Sequence, residues 1–327
     1  MYISSYGLNK KPFNLQPDLG FFWLGEKHRE ALSTLRYGIL ENKGFLLLTG
    51  EAGTGKTTLI SSLGESLGED TLFAVISEPR QERIDFYNSI AKGFGLEQQF
   101  TSKVQFLIQF SQFLHSAYDA GKKVLLVVDN CHLLSQEMLE ELRLLSNIEK
   151  ADAKLINMFF VGQRTFNDML IQPKNRAVRQ RLTLKIELSP LSINETEEYI
   201  RFRLFESGGN DKLFSVKAIQ LIHKHSLGIP RTINQLCDMI LTSGANAGMR
   251  TIDHKFAGQC IQREDFSSVR GQVSENGIYL MSPQEYSLSD EPGKVISGFN
   301  LEEESRWGWL KFVGGFVVLV AIGGYFW

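Results

Sequence analysis

Eight consecutive residues carry the clearest chemistry in this 327-residue chain: Gly50-Glu51-Ala52-Gly53-Thr54-Gly55-Lys56-Thr57. The order is that of a phosphate-binding loop. Glycines let such a loop wrap until successive backbone N–H groups face phosphate oxygens. Lys56 then reaches the β- and γ-phosphates, and Thr57 offers its hydroxyl to Mg²⁺. Thr58 opens a helix expected over residues 58–66, with its positive end toward the same charge. The cofactors implied are ATP or a close relative, with Mg²⁺. A chance match in a chain of this length is on the order of 1%, and the apolar strand Phe45-Leu46-Leu47-Leu48-Thr49 before it lowers that further.

A second group belongs with the loop. Val124-Leu125-Leu126-Val127-Val128-Asp129 reads as an apolar strand ending in a carboxylate, which suits Asp129 to hold Mg²⁺ through water. Thr57 and Asp129 are the expected metal-side oxygens. A hydrolytic ATPase of this layout usually carries Glu next, to activate the attacking water, but here the residue is Asn130. An amide orients water without taking its proton, and losing a general base costs about 10²–10⁴ in rate. Two readings stay open: slow or absent hydrolysis, or a carboxylate supplied from elsewhere. Glu78, just past the strand expected over 72–77, is the best substitute if that strand lies beside the one ending in Asp129; otherwise it is an ordinary loop acid before Pro79. Glu51, inside the loop, is expected to face solvent.

These groups need a frame. Strand-like apolar runs at 44–49, 72–77, 123–129, 155–161 and 184–188 alternate with amphipathic helical spans, the pattern of a parallel α/β sheet of five strands. An aromatic-rich opening (Tyr6, Phe13, Phe21, Phe22, Trp23) leads into a helix over about 26–39. Residues 190–264 read as helices only, at 193–204, 216–225 and 232–247, the first behind an Asn194/Glu197 cap-like pair. The expected organisation is an N-terminal segment 1–40, an α/β domain 41–189, a helical domain 190–264, a linker 265–306 and a terminal apolar segment 307–327.

That last segment is expected to cross a membrane. Residues 309–327 hold a single charge, Lys311, and are flanked by Trp307 and Trp309 at one end and Tyr325 and Trp327 at the other. A helix needs roughly 17–20 such residues to span the hydrocarbon layer, with aromatics at the interfaces. Arg306 and Lys311 place everything before them on the cytoplasmic side. The Ser-, Gly-, Glu- and Pro-rich linker of roughly 40 residues has a reach of about 35 Å. The net charge of -2 gives no general support for nucleic-acid binding. The three cysteines, Cys131, Cys237 and Cys260, match no metal or redox spacing and read as reduced thiols. Residues 1–6 lack the basic and apolar regions of a secretory signal.

Several stretches together resemble the ExeA/GspA (general secretion pathway protein A) family of AAA+ ATPases, over roughly residues 2–262. They are Tyr6-Gly7-Leu8 with Lys11-Pro12-Phe13, Pro17-Asp18, Phe21-Phe22 and His28-Arg29-Glu30-Ala31; the loop through Thr58; Gly162-Gln163; Arg179-Gln180-Arg181-Leu182; Leu188-Ser189-Pro190-Leu191; and Gly228-Ile229-Pro230-Arg231-Thr232-Ile233-Asn234. The resemblance implies an AAA+ P-loop NTPase fold with an all-helical lid. It implies Gln163 as sensor 1 near the γ-phosphate, Arg231 as sensor 2 in the lid, and Arg181 as the arginine finger offered to a neighbouring subunit, with Arg179 as the alternative. A finger acting across an interface implies a homo-oligomer formed on ATP binding. Phe22 and Trp23 are expected either on the adenine or in the core. The family implies a bacterial inner-membrane ATPase working with secretin-assembly, pilus or exopolysaccharide-export proteins. Two other functions compete: an ATP-binding switch or scaffold that hydrolyses little, motivated by Asn130, and a DNA-linked regulator, disfavoured by the neutral charge and the membrane segment.

Overall fold

A computed structural model describes residues 2–263 apart from 17 and 152. The linker and the apolar segment 307–327 lie outside the described residues, and no helix among the described residues is long and apolar enough to cross a membrane.

Among the described residues seven strands form: β1 (Phe45–Gly50), β2 (Thr71–Ile76), β3 (Lys123–Val128), β4 (Glu149–Lys150), β5 (Ala153–Lys154), β6 (Asn157–Gly162) and β7 (Leu182–Leu188). Five make one parallel sheet in the order β2-β3-β6-β1-β7, while β4 and β5 pair as a separate antiparallel hairpin. β1 and β6 are buried throughout because both faces of the sheet are covered. Side chains alternate between the faces. Phe45, Leu47, Val124, Leu126, Val128, Met158 and Phe160 point to one apolar core; Leu46, Leu48, Leu125, Val127, Phe159 and Val161 point to the other. The edge strand β7 is only half covered and alternates accordingly.

The first core is rich in rings. Tyr87 stacks on Phe106 with centroids 4.5 Å apart, and Phe106 stacks on Phe110 at 5.1 Å, which fixes helices Arg83–Gly93 and Lys103–Asp119 against the sheet. The second core is closed by helices Glu26–Leu40 and Lys56–Ser66.

Helices Ile193–Glu206, Val216–Ser226, Pro230–Asn246 and His254–Arg263 build a third core. The first does not start at the Asn194/Glu197 pair. Ser192 is its N-cap: the Ser192 hydroxyl accepts from Glu195 N–H, and the Glu195 carboxylate accepts from Ser192 N–H at 2.8 Å. This capping box sits two residues earlier because Ser192 is the last extended residue and its spacing to Glu195 satisfies two helix-end donors at once.

The opening segment joins the third core. Tyr2, Leu8 and Phe13 lie inside the helical core, not on the α/β part. Buried Arg203 holds the segment there, with Nε donating to Pro12 O at 2.6 Å and the guanidinium over the Phe21 ring at 5.0 Å. Asn9 N–H adds a bond to Ser207 O at 2.7 Å.

Candidate nucleotide site

The carboxyl ends of the parallel strands share one edge, where ligands of such sheets bind. Gly50 ends β1, and the loop that follows turns into helix Lys56–Ser66. Thr54 is buried and closes the loop on itself, its hydroxyl donating to Glu51 O at 2.9 Å. Ala52 is exposed and Gly55 precedes the helix in a left-handed conformation. The helix ladder begins only at Leu59, whose N–H donates to Gly55 O at 2.9 Å, so the N–H groups of residues 56–58 stay outside it. Those donors and the helix dipole are suited to phosphate oxygens.

Lys56 lies inside the loop, its Nζ donating to Gly50 O at 3.0 Å and Glu51 O at 2.8 Å. Burial lowers its pKa, against the pull of Asp129 and Glu51. An ammonium partly desolvated in this way favours an anionic ligand. Thr57 Oγ1 donates to Asp129 Oδ2 at 2.7 Å, and Asp129 Oδ1 accepts from Asn130 N–H at 2.8 Å. Two hard oxygens so placed fit Mg²⁺, which when bound neutralises phosphate charge. The residues thus match an Mg²⁺-nucleotide.

Asn130 has φ 53°, ψ 34°, a left-handed conformation that Asn tolerates better than most residues. Its side-chain amide donates to Ser77 O at 3.1 Å. β2 does lie beside β3, with Asp129 N–H donating to Ile76 O at 2.9 Å, so Glu78 stands at the neighbouring strand end, exposed. Glu51 is exposed as expected, and also forms an ion pair with Arg164, which reaches Glu187 at the end of β7 as well.

The helical part touches the loop directly. Arg231, second residue of helix Pro230–Asn246, donates its backbone N–H to Gly53 O at 3.2 Å. Gly53 has φ 83°, and a Cβ there would stand 2.7 Å from Arg231 Cβ. The Arg231 side chain is exposed. Gln163 follows β6, its N–H donating to His132 Nδ1 at 3.4 Å. Arg181 is elsewhere: its guanidinium donates to Arg143 O at 3.0 Å, to Asn147 Oδ1 at 2.6 Å and to Ser146 Oγ, capping the end of helix Gln136–Leu145 in its own chain. Arg179 donates to Ile171 O at 3.2 Å.

Two histidines join the site without a role read from the sequence. His28 is buried, its Nε2 donating to Thr54 O at 3.3 Å, with Phe22 and Trp23 edge-on to its ring. Burial lowers its pKa. Phe22 packs on the core under the sheet and Trp23 on the helical core, where it meets Tyr199. His132 sits three residues after Asp129, a spacing that was its one local signal.

The chain is similar to known proteins. An AAA domain profile matches residues 39–170. General secretion pathway protein A of Aeromonas hydrophila is 37% identical over 318 residues, covering 97% of this chain and 55% of that protein, so the chain spans little more than half its length. Among solved structures, the Aeropyrum pernix ORC2 protein aligns with a TM-score of 0.59 at 16% identity, over 78% of this chain and 71% of that one. The Thermotoga maritima RuvB Holliday junction branch migration motor aligns with a TM-score of 0.52 at 21% identity, over 74% and 70%. At these identities the structural likeness speaks for the fold alone. The sequence similarity across nearly the whole chain goes further: the chain belongs to the general secretion pathway protein A family of AAA ATPases.

Proposed function

We propose that this chain is a membrane-tethered AAA+ ATPase whose ATP-dependent assembly into a homo-oligomer supports a bacterial envelope export system, of type II secretion, pilus or exopolysaccharide type. The observation that carries the nucleotide part is the 2.7 Å bond from Thr57 to Asp129 beside the partly buried Lys56 ammonium. In this reading residues 50–58 hold the phosphates, and Thr57 and Asp129 hold Mg²⁺. Gln163 and Arg231 meet the γ-phosphate, and Arg181 serves a neighbouring subunit. For that last role Arg181 must leave the helix end that it caps. The tether is the apolar run 309–327, at the inner membrane, and the partners are export or secretin-assembly proteins, in keeping with the printed name of the Aeromonas relative. Duplex DNA binding at low salt would favour the DNA-linked reading instead, against which the net charge of -2 stands.

A second reading is an ATP-binding switch with little turnover. Asn130 favours it, since its amide is engaged with Ser77 O and cannot take a proton. Steady-state ATP hydrolysis separates the two. Turnover at ordinary rates that is abolished in Glu78→Gln establishes the enzyme, with its base relocated to the end of β2. Nucleotide binding without turnover, with turnover gained in Asn130→Glu, establishes the switch.

A further inference from the structure

The turn after Asp129 carries a side chain that neither the loop nor the metal-side oxygens account for. The left-handed Asn130 sends the short helical turn Cys131–Leu133 back over the end of β6. The fit is close. A Cβ on Gly162 would lie 2.7 Å from Cys131 Sγ and 3.2 Å from the backbone nitrogens of Cys131 and His132. Glycine at 162 therefore serves backbone approach. That approach brings Gln163 N–H onto His132 Nδ1 at 3.4 Å. Only an unprotonated ring nitrogen accepts, so His132 is neutral and carries its proton on Nε2. Burial first, and the Lys56 ammonium second, oppose a second proton against the pull of Asp129. One imidazole thus links the turn leaving Asp129 to the residue that follows β6, beside the lysine of the loop.

We propose that His132 is a positioning residue: by accepting the backbone N–H of Gln163 it fixes the main chain from which the Gln163 side chain leaves, and through it the preference of the site for a nucleoside triphosphate over the diphosphate. This rests on reading Gln163 as the polar group at the γ-phosphate. A side chain that only filled space would act equally on both nucleotides, because packing supports the loop as a whole. A side chain acting through Gln163 touches the triphosphate alone.

The test is competitive displacement of a fluorescent nucleotide from the full-length chain by ATP and by ADP, each with Mg²⁺. The wild type is expected to prefer ATP. His132→Ala should cut that preference about threefold to tenfold, the worth of one neutral hydrogen bond, with ADP affinity nearly unchanged. His132→Asn, whose Oδ1 can take the place of Nδ1 as acceptor, should restore it. In a Gln163→Ala background His132→Ala should add nothing. If His132→Ala does not fold, His132→Leu keeps the volume without the acceptor and takes its place. An unchanged preference in the acceptor-less variants overturns the proposal. So does an equal loss with Asn, additive loss with Gln163→Ala, or a wild type that prefers neither nucleotide. A wild type that binds no nucleotide at all overturns the nucleotide-site reading beneath it as well.

Discussion

Thr57 and Asp129, 72 residues apart in sequence, meet through a 2.7 Å hydrogen bond that joins the first turn of the helix after the loop to the end of β3. The sheet makes this possible by setting β1 and β3 on either side of β6, with all three carboxyl ends at one edge. Thr57→Val keeps the branched shape and removes the hydroxyl. The gain in ATP affinity on adding Mg²⁺ is expected to fall by about tenfold, one charge-assisted hydrogen bond's worth, with affinity in EDTA unchanged. Titration of a fluorescent ATP with and without Mg²⁺ checks this.

The left-handed backbone at Asn130 sets a cost on the obvious repair of the site. A glutamate there must adopt φ near 53° without the local bonding that favours Asn. Asn130→Glu should therefore lower stability by about 1–2 kcal/mol whatever it does to turnover. Asn130→Gly, free of that strain, should lose less. Urea unfolding of the three proteins ranks them.

Arg203 anchors the opening segment in the helical core through Pro12 O, the Tyr199 hydroxyl and the Phe21 ring. Arg203→Ala strands a buried carbonyl and removes a charged donor, a loss of about 2–3 kcal/mol. Local opening should concentrate in residues 2–25. Trypsin should then cut after the exposed Lys10 faster than in the wild type, which mass spectrometry of the fragments reads out.

Stability should also fall on the acid side. Burial lowers the pKa of His28 below its ordinary value of 6.5, so the unfolded chain takes up this proton more readily than the folded one. The stabilisation is full above about pH 6.5 and is lost as pH falls toward the folded-state pKa. Melting temperature should be flat above neutrality and decline below it. His28→Gln should flatten part of that decline, the remainder belonging to His132 and His223, whose pKa values burial lowers too. Thermal melts across the range decide it.

What was legible in the sequence was local. Phe45-Leu46-Leu47-Leu48 announces a strand covered on both faces because every residue is apolar, and the loop after it is defined by spacing alone. Asp129 follows from the same logic. The lateral position of Glu78 became definite only with the strand order. What stayed hidden acts over distance. Nothing near Pro12 signals that its carbonyl meets Arg203, 191 residues away, and nothing around Arg181 signals that it caps another helix of its own chain. Asn194 and Glu197 imitate a cap as well as Ser192 and Glu195 do, because both pairs have the same spacing; the choice between them depends on where Leu191 is buried.

The seating of Tyr2, Leu8 and Phe13 among helices 193–263 makes the helical unit discontinuous, with the whole α/β part inserted between its two pieces. During synthesis those early apolar residues leave the ribosome long before their partners exist, and the sheet can condense while they wait. Completion of the helical core therefore has to wait until synthesis has passed His254–Arg263. Because the same helices carry Arg231 to the loop, its contact with Gly53 waits on that core as well.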